Sequence, residues 1–188
     1  MKLGSVIIFN STKGGWFSAA QRFFTRMPYT HVAGSIGTVS GEESILEAKM
    51  SVSVTPWKHV LDNKTEEYFI FEPTSALKQK DIEDALYYVY DRFAGETYGF
   101  LQLLWFVYRW IAESWPFKAD VRKKGNWFPD NQICSEVWWW YLHELATKYP
   151  DISNVIEEWN SNSVNAGDMF MILRRLPKYF TLTQTRLV

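Results

Sequence analysis

Short apolar runs and longer helical repeats follow one another in this chain without regular alternation, and that order limits its architecture more than any other feature. Ser5 to Phe9, Thr30 to Ile36, Ser44 to Lys49 and Glu67 to Phe71 have strand character. The first is bounded by the turn-rich stretch from Asn10 to Gly15, and the last is stopped by Pro73. Trp16 to Arg26, Asp81 to Phe93, Tyr98 to Trp115 and Cys134 to Lys148 carry helical spacing instead. Pro28, Gly95 and Pro150 follow the first, second and last of these. Met169 to Leu173 reads as a late strand. A doubly wound parallel sheet needs a steady strand–helix rhythm, which is missing here, so the pattern predicts an α+β domain.

No internal repeat or low-complexity tract interrupts the 188 residues, a length that suits a single domain. Hydrophobic residues make up 47% and aromatics 18%, ample material for a packed core and incompatible with disorder. The 20 basic and 21 acidic residues leave a formal charge of -1. Without a basic excess there is no electrostatic footprint for nucleic acid, and a small-molecule or peptide substrate is the expected partner. Nothing in the sequence sets an oligomeric state. The apolar run Val6 to Phe9 is too short for a signal-peptide core and no small-residue cleavage site follows it. The expected location is therefore the cytoplasm, including that of a bacterium making a phage protein.

The chain has one cysteine, Cys134, so an internal disulfide, a disulfide-stapled secreted fold and a cysteine metal cluster are excluded. Cys134 sits where a loop turns into a helix, with Asp130 or Asn131 as the expected N-cap. The stripe Cys134, Val137, Trp138, Tyr141, Leu142, Leu145 places it on the inward face of the first turn. Elsewhere a lone cysteine is a small buried hydrophobe. At a helix start, partial positive charge and amides without intrahelical partners favour the thiolate, and the same amides can hold an oxyanion.

A nucleophilic thiol needs a base, and there are three histidines. His143 lies nine residues along the same helix, a rotation of roughly 900° and about 13 Å of rise, so it points away. His59 follows Pro56-Trp57-Lys58 in an irregular region and stays a candidate. His31 lies in a strand, which holds an imidazole rigidly. Between its strand and the next is Gly37-Thr-Val-Ser-Gly41, a five-residue loop with glycines at both ends. A hairpin symmetric about Val39 sets His31 opposite Glu47, with Cβ atoms about 5 Å apart on one sheet face. Glu47 would then accept from the imidazole and select its tautomer. The plainer alternative is a solvated cross-strand pair, and a one-residue slip in register would put the two groups on opposite faces.

Two other features carry less. Lys13-Gly14-Gly15 lacks the spacing of a phosphate loop. The run Tyr98 to Trp115 is apolar around most of its circumference, but Gln102, Arg109 and Glu113 interrupt it, and a spanning helix needs about 20 apolar residues. Burial within the protein is its favoured role; docking on a membrane surface or lining an acyl-binding cleft is the alternative. Lys118 to Asn131 reads as a long loop able to cover a site.

Four motifs in order point to a family. Gln21-Arg-Phe-Phe-Thr-Arg-Met-Pro-Tyr-Thr-His31-Val-Ala-Gly resembles the histidine motif of permuted papain-like hydrolases, the YiiX and YaeF group related to NlpC-type peptidases. Ile45-Leu-Glu47-Ala resembles that group's Glu-Ala strand, Gly95-Glu-Thr-Tyr98-Gly-Phe100 its Gly-x-x-Tyr-Asp-Phe helix start, and Ile133-Cys134-Ser-Glu136 its Cys-Ser-Glu nucleophile motif. Histidine precedes cysteine, the reverse of ordinary papain-like enzymes. Two positions depart from the family pattern: Ser5 stands where Asp follows the opening glycine, and Gly99 where Asp follows the tyrosine.

The resemblance implies a circularly permuted papain-like fold, an antiparallel sheet packed against helices with the nucleophile at a helix N-terminus. It implies Cys134, His31 and Glu47 as catalytic residues, with no metal or cofactor required. Tyr98 would line the substrate cleft or serve as a core tyrosine. The stretch at about 98–130 would be an aromatic-rich helical insertion in a single hydrolase domain. The expected reaction is amide cleavage through an acyl-enzyme, in a peptide or an acylated amine. Acyl transfer or thioester hydrolysis on lipid acyl groups is the enzymatic alternative, and a non-catalytic binding module that kept the fold is the alternative from another class.

Overall fold

The computed structural model describes residues 1–11, 19, 22–23, 27–49, 51–62, 66–96, 102–113 and 133–186. Six strands form one sheet: β1 (Val6–Ser11), β2 (His31–Val39), β3 (Glu42–Ala48), β4 (Val52–Pro56), β5 (Glu66–Pro73) and β6 (Phe180–Arg186). They lie in the order β4-β3-β2-β1-β5-β6, and every neighbouring pair is antiparallel. The helices are α1 (Trp57–Asp62), α2 (Gln79–Phe93), α3 (Gln102–Glu113), α4 (Cys134–Ala146), α5 (Pro150–Ile156) and α6 (Ala166–Arg174). The architecture is α+β, as the irregular order of elements predicts.

The central strands read as continuous apolar runs because both faces of the sheet are covered. Val6, Ile8, Val32, Leu46 and Phe71 join the core beneath α2, α4 and α6, while Ile7, Phe9, Ala33, Ile45 and Ile70 pack with Trp57 and Val60 of α1 on the other side. Each strand therefore lacks the polar alternation of a half-exposed sheet. Helix α4 lies across β2 and β3 with α2 and α5 against it. It is seated by Trp138, whose ring covers Gly34 so closely that a Cβ there would collide with it. Tyr141 adds a bond from its hydroxyl to the Gly4 carbonyl at 3.3 Å.

Several expectations change. The β2–β3 connection is not a five-residue loop. Val39 pairs with Glu42 around the two-residue turn Ser40-Gly41, and both turn residues have positive φ (52° and 84°), the geometry of a type I′ hairpin. A bulge between Ser35 and Gly37 then shifts the ladder, so that Ala33, not His31, stands opposite Glu47. Met169 to Leu173 is not a strand but the body of α6. Asn165 and Asp168 form a reciprocal capping box there, each side chain bonded to the other's backbone N–H, which starts a helix despite the apolar run. The N-cap of α4 is Ile133, with no side-chain cap bond, rather than Asp130 or Asn131. Strands β4 and β6 and helices α1 and α5 come in addition to the expected elements. Of the helix expected at Trp16 to Arg26, only Ala19, Arg22 and Phe23 are described, all helical. The expected loop from Lys118 to Asn131 lies outside the described residues. Among the described residues, no helix is long and apolar enough to cross a membrane.

Candidate active site

His31 opens β2 and Glu47 closes most of β3. The ladder sets Glu47 beside Ala33, and His31 is two residues back along the same strand. Because side chains alternate with a period of two, this displacement keeps both groups on one side of the sheet as diagonal neighbours. His31 Nε2 lies 3.1 Å from Glu47 Oε2, and the imidazole N–H donates to the carboxylate. The phenyl ring of Phe9, paired with His31 across β1 and β2, lies 5.5 Å from the imidazole centroid and limits how the ring can turn.

The imidazole also meets the thiol. Cys134, the first residue of α4 and only 2% exposed, hydrogen-bonds His31 through its side chain. The electrostatics agree with this relay. Burial depresses the imidazole, but the charge and hydrogen bond of Cys134, followed by those of Glu47, outweigh it and raise His31 from 6.5 to about 9. Burial pushes the Glu47 carboxyl up, yet the hydrogen bond and charge of His31, the Lys49 ammonium and a bond from Thr55 hold it at about 2. The arrangement favours a protonated imidazole beside the thiol, with an ionised carboxylate behind it.

The start of α4 is held by neighbours distant in sequence. Ser135 donates its hydroxyl to the Val164 carbonyl at 2.7 Å. The segment that carries Val164 is in turn fixed by Arg109 of α3, which forms a two-pronged pair with Asp168 (2.7 and 3.2 Å) and donates to the Ser163 carbonyl at 2.8 Å. Both partners of the ion pair are buried. Helix α3 is thus tied to the segment that supports the nucleophile.

Cys134, His31 and Glu47 come together; the other candidates do not join them. His59 lies exposed on α1. His143 stacks on Trp139 with ring centroids 5.1 Å apart, turned away from the thiol as helical rotation requires. Tyr98 lies outside the described residues. Four contributors were not anticipated: Lys49, Thr55, Ser135 and Arg109. Lys49 carried a signal, since it follows Glu47 by two positions; the ties of Arg109 to Ser163 and Asp168 carried none, since those partners lie 54 and 59 residues away, and only its pair with Glu113 is local.

A scan against protein-family models finds no match, and a search of curated protein sequences finds none. Among solved structures, the metalloprotein YiiX from Escherichia coli O157:H7 matches with a TM-score of 0.51 and 23% identity. The match covers 76% of this chain and 66% of that protein's chain. At that identity the likeness is one of fold, and it falls on a member of the group that the sequence motifs resemble. Among the described residues no group of three or more His, Cys, Asp or Glu side chains is arranged to hold an ion.

Proposed function

We propose that this protein is a cysteine hydrolase of the permuted papain type that cleaves an amide through an acyl-enzyme, within a single domain. The observation that carries the reading is His31, whose side chain hydrogen-bonds both a buried thiol and a buried carboxylate. A structural cysteine in an apolar core needs no such partner.

In the reaction, the Cys134 proton passes to His31 and the thiolate attacks the substrate carbonyl carbon. The resulting oxyanion is stabilised by backbone N–H donors at the start of α4, where no side-chain cap competes. As the C–N bond breaks, the imidazolium returns the proton to the departing amine and leaves a thioester on Cys134. Water then attacks the thioester while His31 takes its proton. The acid is released and the thiol restored. Glu47 keeps the imidazole in one tautomer and orientation throughout.

A thiol-directed activity probe at neutral pH tests this. Selective labelling of the wild type, absent in Cys134→Ser and lost in His31→Ala, supports the hydrolase; no selective labelling favours a binding module. Transfer of the acyl group to lipid or amine is the second reading. It is favoured by the exposed Ile111 on α3 and by Phe23, exposed and in ring contact with Trp110, an apolar surface suited to an acyl chain or a membrane face. Incubation with an acyl ester and an amine, followed by mass spectrometry, separates hydrolysis from transfer.

A further inference from the structure

Glu47 Oε2 is shared. His31 Nε2 approaches it at 3.1 Å, and so does Lys49 Nζ, also at 3.1 Å. The ammonium and the imidazole edge therefore lie at most twice that distance from each other. The Lys49 side chain is 59% exposed while that of Glu47 is 3% exposed, so a solvated lysine reaches inward to end on a buried oxygen. Most exposed ion pairs have little consequence; this one terminates on the group that orients the proposed base.

We propose that Lys49 is a positioning residue of this site: by occupying the same carboxylate oxygen as His31, it sets the carboxylate's orientation and limits the negative charge that the imidazolium feels. The inference rests on the Cys134–His31–Glu47 reading given above. An imidazolium facing both a thiolate and an unshared carboxylate would hold its proton too tightly to deliver it to a leaving amine; a cation on the carboxylate opposes that.

The groups that face the pair are identifiable. Cys134 approaches the imidazole from α4 and Glu47 from β3, while Phe9 of β1 presents an uncharged ring. The carboxylate receives Lys49 from just beyond β3 and Thr55 from β4. Among these, Lys49 supplies the positive charge that counters Glu47.

Titration of His31, followed through its imidazole carbon and nitrogen NMR shifts, provides the test in wild type, Lys49→Gln and Lys49→Arg. The expected result is a midpoint raised in Lys49→Gln by at least about half a pH unit, as removal of a charge no more than about 6 Å away implies. Lys49→Arg should bring it back to the wild-type value. A Lys49→Gln midpoint equal to or below that of wild type overturns the proposal, as does an upward shift that Arg fails to reverse. Because the readout needs no turnover, it stands apart from the fate of the hydrolase reading: failed probe labelling would remove the nucleophile, whereas an unmoved His31 midpoint would remove the role of Lys49.

Discussion

His31 and Glu47 lie 16 residues apart on one hairpin, whereas Cys134 reaches them from a helix whose start is anchored to residues 163–168 and, through them, to α3. The first half of the site is held by a strand ladder and a two-residue turn, so its geometry is local. The second half is held by a chain of polar contacts across three elements, so its geometry depends on tertiary packing. The contrast teaches that damage to the two halves should look different. Changes near the hairpin should alter proton chemistry, and changes near the helix start should alter where the sulfur sits.

The sharpest way to break the comparison is Arg109→Met. It leaves the buried Asp168 carboxylate without its guanidinium, and stability is expected to fall by about 3–5 kcal/mol in denaturant unfolding. Conditions that keep the variant folded should show slow probe labelling of Cys134 and a His31 midpoint below that of wild type, because a displaced sulfur raises the imidazole less. A variant as stable as wild type would mean that the helix start does not depend on this tie. Gly34→Ala comes next. A methyl group there meets the buried Trp138 ring, and the strain is expected to cost about 1–3 kcal/mol in thermal or denaturant unfolding while lifting α4 from β2.

The third prediction sharpens the contrast through pH. Glu47 is lowered from 4.5 to about 2, so its contribution to stability is complete above the unfolded value and lost as pH falls toward 2. His31 is raised from 6.5 to about 9, so its contribution is complete below 6.5 and lost as pH rises through 9. The hairpin half is therefore expected to stabilise most in the mildly acidic range between those limits. Cys134→Ala removes two of the influences that raise the imidazole, so the His31 midpoint should drop below about 9 and the alkaline loss should shrink, as unfolding measured across pH would show. The smallest effect belongs to the turn: Ser40→Gly relieves a left-handed φ of 52° and is expected to add about 1 kcal/mol or less in unfolding experiments, with the site untouched.

The face shared by His31 and Glu47 was legible in the sequence even though the register was not. The two-residue displacement preserves the strand period, so His31 and Glu47 are neighbours although the ladder is not symmetric about Val39. A bulge next to Gly37 cannot be read from a pair of glycines that also suit a longer loop. Cys134 at a helix start was legible because the apolar stripe begins there, but its cap was not, since Ile133 offers no side-chain oxygen to recognise. Met169 to Leu173 is helical because the Asn165 and Asp168 capping signal at its start outweighs the strand character of a short apolar run. The Arg109–Asp168 tie, spanning 59 residues, leaves no local trace.

The bare backbone of Gly34 beneath Trp138 has a mechanical outcome. A bulky indole lodged in a notch works as a stop that opposes gliding of α4 along β2. Sulfur and imidazole, carried by α4 and β2, are thereby held in register by packing as well as by their own contact.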